Sequence, residues 1–292
     1  MLPVSATVTG IRPTCLGWLR QLHRHAKGPV SATDAAAILG LPRRRAQRLL
    51  AYLANRGWLV RVHPGLYSPV PLEASDPREW RVDAWVVACQ AFAPCYIGGW
   101  SACEHWELTE QVFRGVVVVT AKQVRRTRIE IQGTPFRVHV VPERKLFGTR
   151  PVWRGEVRVE VSDPARTIVD ILDDPRLGGG MRHVADVVGA YFASSHRNDE
   201  LVADYAVRLG NGAVFKRLGF FLELLEIPQR DALVDSCRRH LSAGLAALDP
   251  SVRTPGRIVK RWHLRVNVSS LARGSGDRNR RATGGDRKSR SG

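Results

Sequence analysis

Apolar residues in the first seventy positions recur at the spacing of helices. They predict a helix over residues 13–25, a short helix over residues 34–39 and a third helix over residues 42–56. Ser31 or Thr33 can cap the second helix, and Gly40 can end it. Pro42 suits the first position of the third helix. The inward stripe of that third helix consists of Ala46, Leu49, Leu50 and Leu53.

A hairpin is predicted directly after these helices. Residues 58–62 alternate between apolar and polar side chains, residues 63–65 (His-Pro-Gly) form a turn, and Leu66 and Tyr67 begin the return. Three helices followed by a hairpin are typical of a winged helix-turn-helix. The sequence therefore predicts a winged helix-turn-helix DNA-binding domain over residues 1–72.

The middle of the chain shows a mixed pattern. Strands are predicted over residues 115–120, 128–132, 136–141 and 157–161, with a hairpin turn at Gly133-Thr134. One helix is expected to begin at residues 75–77 and to bury Trp80, Ala84 and Trp85. A second begins after the glycines at 98–99, and a third begins after residues 163–164 (Asp-Pro). Residues 73–175 are therefore predicted to form a mixed α/β domain.

The last third is predicted to be helical. Four helices are expected over residues 181–194, 200–209, 213–225 and 232–241, and a strand over residues 262–268. We assign residues 176–271 to this helical portion and residues 272–292 to a disordered basic tail. The fold class is thus α+β: an N-terminal winged helix-turn-helix, a mixed α/β domain and a C-terminal helical portion.

The charge of the chain is concentrated at its two ends. The 292 residues carry a formal charge of +18, from 45 basic and 27 acidic residues. Residues 1–70 hold ten Lys or Arg and one acid, a net of +9, and residues 272–292 hold seven and two, a net of +5. The remainder is almost balanced at +4. A polyanion such as DNA is the expected partner of the basic ends.

The third helix places its cations where a helix-turn-helix meets DNA. Cations at a helix N-terminus oppose the macrodipole, and a phosphate-lined groove would offset that cost. The alternative is a solvated helix face. We predict DNA contacts from this helix and from the wing. The candidates are Arg43, Arg44, Arg45, Gln47 and Arg48 on the helix, and Arg61 and His63 on the wing.

A second charged pair lies in the helical portion. Lys216 and Arg217 occupy the helix whose apolar stripe includes Val214, Leu218 and Phe221. Two interpretations remain open for this pair. It is either a contact surface for a toxin, RNA or DNA, or a solvated face.

No catalytic or metal site is expected. The five cysteines form no Cys-x-x-Cys pair, and the spacings of Cys89, Cys95, Cys103 and His105 do not match zinc knuckles. Asp163 is more simply a helix cap, and Arg166 and Asp170 can pair at i,i+4. No cofactor is expected.

Two further classes of protein were weighed against the sequence. A nuclease would need a carboxylate and a Glu-x-Lys on adjacent strands, and Glu130-Ile131-Gln132 lacks the lysine. P-loop, HExxH and GxSxG motifs are absent as well. The uncharged stretch 84–103 contains proline and glycines that do not suit a membrane span. No signal peptide is visible, and a reducing cytoplasm is expected.

Several landmarks in order resemble the AbiEi antitoxins of type IV toxin–antitoxin systems. They are residues 64–67 (Pro-Gly-Leu-Tyr), residues 99–102 (Gly-Trp-Ser-Ala), residues 161–170 with their Asp-Pro-x-Arg-Thr core, residues 216–223, and the end from Leu248 to Asn267. The resemblance covers about residues 13–268. Two departures are the basic tail and Ala165, where an acidic residue is usual.

The resemblance implies two roles, each carried out by a different part of the chain. AbiEi proteins bind inverted repeats in their own promoter through the winged helix, which implies two copies on one operator. Their C-terminal domain neutralises a cognate nucleotidyltransferase-like toxin. The chain is accordingly expected to be a cytoplasmic antitoxin and autorepressor, without a membrane partner. A stand-alone repressor is the alternative.

Overall fold

Three helices and a small sheet form the N-terminal domain, as the sequence predicts. The computed structural model describes residues 12–71 and 79–272, so the predicted helix start at 75–77 and the tail at 273–292 lie outside the described residues. The elements are α1 (Pro13–His25), β1 (Val30–Ser31), α2 (Ala32–Leu39), α3 (Arg43–Asn55), β2 (Leu59–His63) and β3 (Leu66–Pro69). The sheet order is β1-β3-β2. The α+β fold class with an N-terminal winged helix is confirmed.

Local chemistry fixes the turn between α2 and α3. The Ser31 side chain accepts hydrogen bonds from the backbone N–H groups of Thr33 and Asp34, and Asp34 accepts one from the backbone N–H of Ser31. This capping box satisfies N–H groups that otherwise lack partners at a helix start. Gly40 ends α2 with φ 62°, a left-handed conformation that glycine adopts without a steric cost. Leu41 and Pro42 then lead to α3.

The second part of the chain is built on a mixed six-stranded sheet. Its elements are α4 (Ala84–Phe92), β4 (Cys95–Ile97), α5 (Gly99–His105), β5 (Val116–Thr120), β6 (Arg128–Ile131), β7 (Thr134–Val140), β8 (Thr149–Arg154) and β9 (Val157–Ser162). The strand order is β6-β7-β5-β4-β9-β8. β5 pairs in parallel with β7 and antiparallel with β4. All five residues of β5 are buried, as expected for a strand covered on both faces.

The structure corrects three sequence predictions in this region. The first described helix of this region begins at Ala84 with Asp83 as its N-cap, so Trp80 precedes the helix. The β6–β7 hairpin turns at Gln132-Gly133, where φ is 51° and 80°, one residue earlier than predicted. β8 was not predicted. It is an edge strand that contains Pro151 and has no buried residue, so its sequence lacks the alternation of a half-buried strand.

The helical portion contains the four predicted helices, a strand shorter than the predicted 262–268, and three short elements that were not predicted. The elements are α6 (Pro164–Asp173), α7 (Met181–Ala193), α8 (Asp199–Leu209), α9 (Gly212–Leu224), α10 (Asp231–Arg239), β10 (Ala246–Ala247), β11 (Arg257–Val259), β12 (Leu264–Val266) and α11 (Ser269–Ala272). The three that were not predicted are β10, β11 and α11. The main apolar cluster unites α6 with α7, α8, α9 and α10 and includes Trp262. This core continues across residue 175, because α6 packs with the later helices.

A buried polar network anchors α6 to the sheet. Asp163 caps the helix through the backbone N–H of Arg166, as predicted. Arg166 forms an ion pair with Asp170, with 2.9 Å between Nε and Oδ1. The Tyr96 hydroxyl of β4 donates to Asp170 at 2.8 Å. Arg166 and Asp170 are thus paired with each other, and the network packs α6 against the sheet.

The wing packs against the second part of the chain. Val62 of β2 and Leu66, the first residue of β3, lie in the same apolar cluster as Ala91 and Phe92 of α4. Other residues of the same two strands, Leu59 and Tyr67, belong to the winged-helix core. The hairpin is therefore shared between two cores.

Candidate DNA-binding surface

Helix α3 divides into an apolar side and a cationic side. Its four core residues are buried, with exposures of 0–7%. The remaining side chains of its first two turns are all exposed: Arg43, Arg44, Arg45, Gln47 and Arg48. The sequence-predicted contact residues of α3 are thus brought together on one helix end.

The electrostatics of this helix end favour an external anion. The first turn of α3 holds no acidic residue, and its N-cap, Pro42, offers no side-chain hydrogen bond. Asp34, the one acid among residues 1–70, is committed to the capping box of α2. Free N–H groups and three arginines therefore add their positive potentials at the same place.

The arginines of α3 do not all point the same way. The guanidinium of Arg45 lies over the Trp18 ring of α1, with its central carbon 5.2 Å from the ring centroid. Arg44, Gln47 and Arg48 are related by steps of three and four residues, so they share one exposed stripe. This stripe is the part of α3 that can enter a groove, while Arg45 flanks it.

A groove continues the stripe towards the wing. It has a volume of about 280 Å³ and lies between the second half of α3 and strand β2. Asn55 lines it from the helix and Arg61 from the strand. Asn55 was not among the predicted contact residues. It lies seven residues after Arg48 on the same face of α3, so helical spacing could have identified it.

The two wing candidates differ in their surroundings. Arg61 is exposed. His63 is half-buried and meets the Phe92 ring edge to face, with 6.4 Å between the centroids. Burial lowers the pKa of His63, and the positive charges of Lys122 and Arg61 lower it further, against a raising hydrogen bond at Pro64. His63 therefore also contacts the second part of the chain, and its contact with DNA stays a prediction.

A comparison with known protein families finds a match in the N-terminal domain. Residues 18–70 match a family model described as a transcriptional regulator, AbiEi antitoxin. We refer to these residues below as the AbiEi-type domain, after the family that they match. The match spans α2, α3 and both strands of the wing, and most of α1. The resemblance expected from the sequence is confirmed for this domain.

The whole chain also resembles a solved structure. The crystal structure of the RV2827C protein from Mycobacterium tuberculosis has a TM-score of 0.59 and 18% identity, covering 90% of this chain and 94% of that chain. At this identity the likeness concerns the fold alone. No curated protein matches the sequence.

The structure contradicts the partner surface predicted outside the AbiEi-type domain. Lys216 and Arg217 are buried, with exposures of 2% and 4%. The Lys216 ammonium donates to the Gly244 carbonyl. Arg217 donates to the carbonyls of Leu172, Asp173, Ala247 and Leu248. Neither side chain faces a partner, because the segment around β10 covers this side of α9.

Two further observations limit what else the chain contains. Among residues 12–71 and 79–272, no three His, Cys, Asp or Glu side chains are grouped so that they could hold a metal ion. Within the same residues, no helix combines the length and apolar character needed to cross a bilayer. The family that residues 18–70 match is described as one of transcriptional regulators.

Proposed function

We propose that this protein is the antitoxin and autorepressor of a type IV toxin–antitoxin operon. Its winged helix binds inverted repeats in the promoter, with α3 in the major groove and two copies on one operator. Its second part neutralises a cognate nucleotidyltransferase-like toxin. The coarser role, an AbiEi-type transcriptional regulator, rests on the family match over residues 18–70.

One observation carries the DNA-binding part of this proposal. The exposed stripe of Arg44, Gln47 and Arg48 lies at the N-terminal end of the second helix of a helix-turn-helix, with no acid in the first turn. Arginine pairs with guanine and glutamine with adenine in the major groove. The stripe therefore offers both sequence-reading groups and phosphate-binding groups.

A double substitution tests the DNA-binding stripe. Arg44→Ala with Arg48→Ala should weaken binding to the native promoter about a hundredfold in a mobility-shift assay, because two groove contacts are lost. In a salt titration, each lost phosphate contact should reduce the slope by about one unit. Unchanged affinity would show that α3 does not contact the promoter.

The matched control removes the same charge elsewhere. Arg158 and Arg253 are exposed arginines outside the AbiEi-type domain. Arg158→Ala with Arg253→Ala should retain promoter affinity within about twofold at the same salt. If the control loses as much affinity as the α3 variant, net charge and not the stripe governs binding.

The neutralising role is best tested in the full chain. A fragment without the winged helix would expose the apolar residues that Val62 and Leu66 cover. The Arg44→Ala, Arg48→Ala chain keeps this interface and should still relieve the toxicity of the adjacent gene's product while failing to repress the operon. Loss of both functions in a folded protein would contradict the proposed separation. Failure of the unmodified chain to relieve toxicity would leave only a repressor.

A further inference from the structure

A second cationic site lies on the six-stranded sheet, in the hairpin formed by β6 and β7. Arg128 and Arg137 are directly opposite each other across the two antiparallel strands. Side chains at such positions lie on the same face with their Cβ atoms about 5 Å apart, and like charges there are destabilising. The next pair, Ile129 and Phe136, faces the other way into the sheet's apolar cluster.

The charge of this arginine pair is not neutralised within the described protein. No carboxylate of residues 12–71 or 79–272 forms an ion pair with Arg128 or Arg137. The nearby Arg176 does have a partner, since it binds Asp174 through two hydrogen bonds of 2.8 Å. Burial and the positive charge of Arg128 lower the pKa of Arg137, the Asp174 carboxylate raises it, and the positive charge of Arg176 lowers it further. An anion between the two arginines would relieve their repulsion.

Arg137 is held in place before any ligand arrives. Its guanidinium lies over the Trp100 ring at 5.2 Å, and Trp100 is itself stacked on Phe113. One nitrogen of Arg137 donates to the Arg176 carbonyl at 3.1 Å. A guanidinium has five N–H donors, so others stay available for an anion in a fixed orientation. Fixed donors reduce the entropy lost on binding.

Two adjoining hollows share this arginine pair. One has a volume of about 390 Å³ and is lined by Trp100 and Pro135 beside the arginines. The other has about 230 Å³ and is lined by Thr127, His139, Asp174 and Arg176 beside the same arginines, and the Asp174 carboxylate there is held by Arg176. The first suits a flat apolar group, and the second suits phosphate oxygens. Glu130, which lines the larger hollow, can accept from hydroxyl or amino groups.

The surrounding chain adds to the positive field. Residues 111–129 carry five Lys or Arg and no acid. Lys122, Arg125 and Arg126 are exposed in the loop that leads into β6. A field of one sign around a hollow raises the local concentration of the opposite charge. The site is therefore suited to a multiply charged anion.

We propose that Arg128 and Arg137 bind the phosphate of a nucleotide whose base lies in the larger hollow. The nucleotide is either free or the end of a single-stranded nucleic acid, since both present the same base and phosphate. This binding function is separate from the promoter contact of α3, and it does not depend on the proposed antitoxin role.

Calorimetric titration of the full chain with ATP, GTP, CTP and UTP tests the site. At least one should bind saturably with one site per chain. Arg128→Ala and Arg137→Ala should each weaken that binding about tenfold, the loss expected for one charge-assisted contact. Arg128 is exposed, so its variant remains folded even if loss of the Trp100 stack perturbs the Arg137 variant. Absence of saturable binding, or an affinity in both variants that equals that of the unmodified chain, would overturn the proposal.

A control variant and alternative ligands show which part of the nucleotide the site recognises. Arg158→Ala removes an exposed arginine next to the opposite edge strand and should leave nucleotide affinity within about twofold. Inorganic tripolyphosphate should bind several-fold more weakly than the best nucleotide, and equal affinity would rule out a base site. A single-stranded tetranucleotide that binds more tightly than the mononucleotide would identify the nucleic-acid source. If Arg128→Ala weakens duplex operator binding as strongly as the α3 variant does, the pair is a duplex contact and the proposal is wrong.

Discussion

Arg217 illustrates how a buried charge can hold separate segments together. It donates to the carbonyls of Leu172 and Asp173, the last two residues of α6, and to those of Ala247 and Leu248 beside β10. The final carbonyls of a helix have no partner within the helix, and a cation there also complements the macrodipole. Arg217 thus caps the C-terminus of α6 and holds the β10 segment beside it.

Replacing Arg217 should therefore destabilise the protein strongly. Arg217→Ala leaves four carbonyls without this donor, and we expect the free energy of unfolding in urea to fall by about 3 kcal/mol or more. Arg217→Lys should recover little, because a single ammonium cannot reproduce the planar guanidinium fork. Arg253→Ala, at an exposed position, serves as the control and should change stability by less than about 0.5 kcal/mol. A change of that small size in Arg217→Ala would show that water replaces the guanidinium.

Sequence patterns could not place Lys216 and Arg217 correctly, for a physical reason. The apolar stripe of Val214, Leu218 and Phe221 is buried as predicted. However, the segment around β10 and Trp262 covers the other side of α9, so all residues from 214 to 222 are buried. Periodicity detects one buried face, whereas burial of the second face depends on a tertiary contact that the pattern does not encode.

Helix α9 lies very close to a later segment of the chain. A Cβ atom built on Gly219 would lie 2.2 to 2.6 Å from ring atoms of Trp262, which is fully buried. Glycine in the middle of a helix costs roughly 1 kcal/mol relative to alanine. The helix accepts this cost because the indole occupies the space of the missing side chain. The indole Nε1 also donates to Glu223 one turn later at 2.8 Å.

A glycine pair on two helices tests this contact. Gly219→Ala should lower the free energy of unfolding by several kcal/mol, because neither the α9 backbone nor the buried indole can shift. Gly189→Ala in α7 is the matched control: its added Cβ has Leu225 as its nearest neighbour at 3.8 Å, an ordinary contact. It should be neutral or stabilising by up to about 1 kcal/mol. Similar thermal unfolding curves for the two variants would contradict the tight contact.

Most elements followed from local signals, and the exceptions share a cause. Helices α7 to α10 lie within about two residues of their predicted bounds, because caps and breakers such as Asn198, Gly210 and Asn211 mark them. The exposed cationic face of α3 was also predictable, since it follows from helical spacing. By contrast, β8 and the placement of His63 depend on neighbours far along the chain. The arginine pair at Arg128 and Arg137 became visible only with the register of β6 and β7.

At the scale of the whole molecule, the wing joins the DNA-binding domain to the rest. Val62 and Leu66 belong to the sheet's apolar cluster, whereas Leu59 and Tyr67 of the same hairpin belong to the winged-helix core. His63 adds a titratable group to this junction beside Phe92. Stability of the junction is therefore coupled to proton binding.

Acid should weaken this junction through His63. The pKa of His63 in the folded protein is below its ordinary value of 6.5, so the unfolded chain binds the proton more readily. Stability then rises with pH between the two values and is lost as pH falls through that window. His63→Gln should reduce the difference in urea midpoint between about pH 8 and about pH 5.5. His105, whose pKa burial also lowers, retains part of the dependence. An identical difference in wild type and His63→Gln would remove His63 from the coupling.

The shared hairpin also has a geometric consequence for regulation. A DNA-binding domain on a flexible linker can bind half-sites at many separations. A wing that packs against the rest of its own molecule cannot rotate to reach them. Two copies on one promoter would therefore require a fixed separation between the two half-sites. Adding about five base pairs between half-sites turns one of them to the opposite side of the duplex, where a rigid neighbour cannot follow. The length of the spacer would then be under selection as strongly as the bases that α3 contacts.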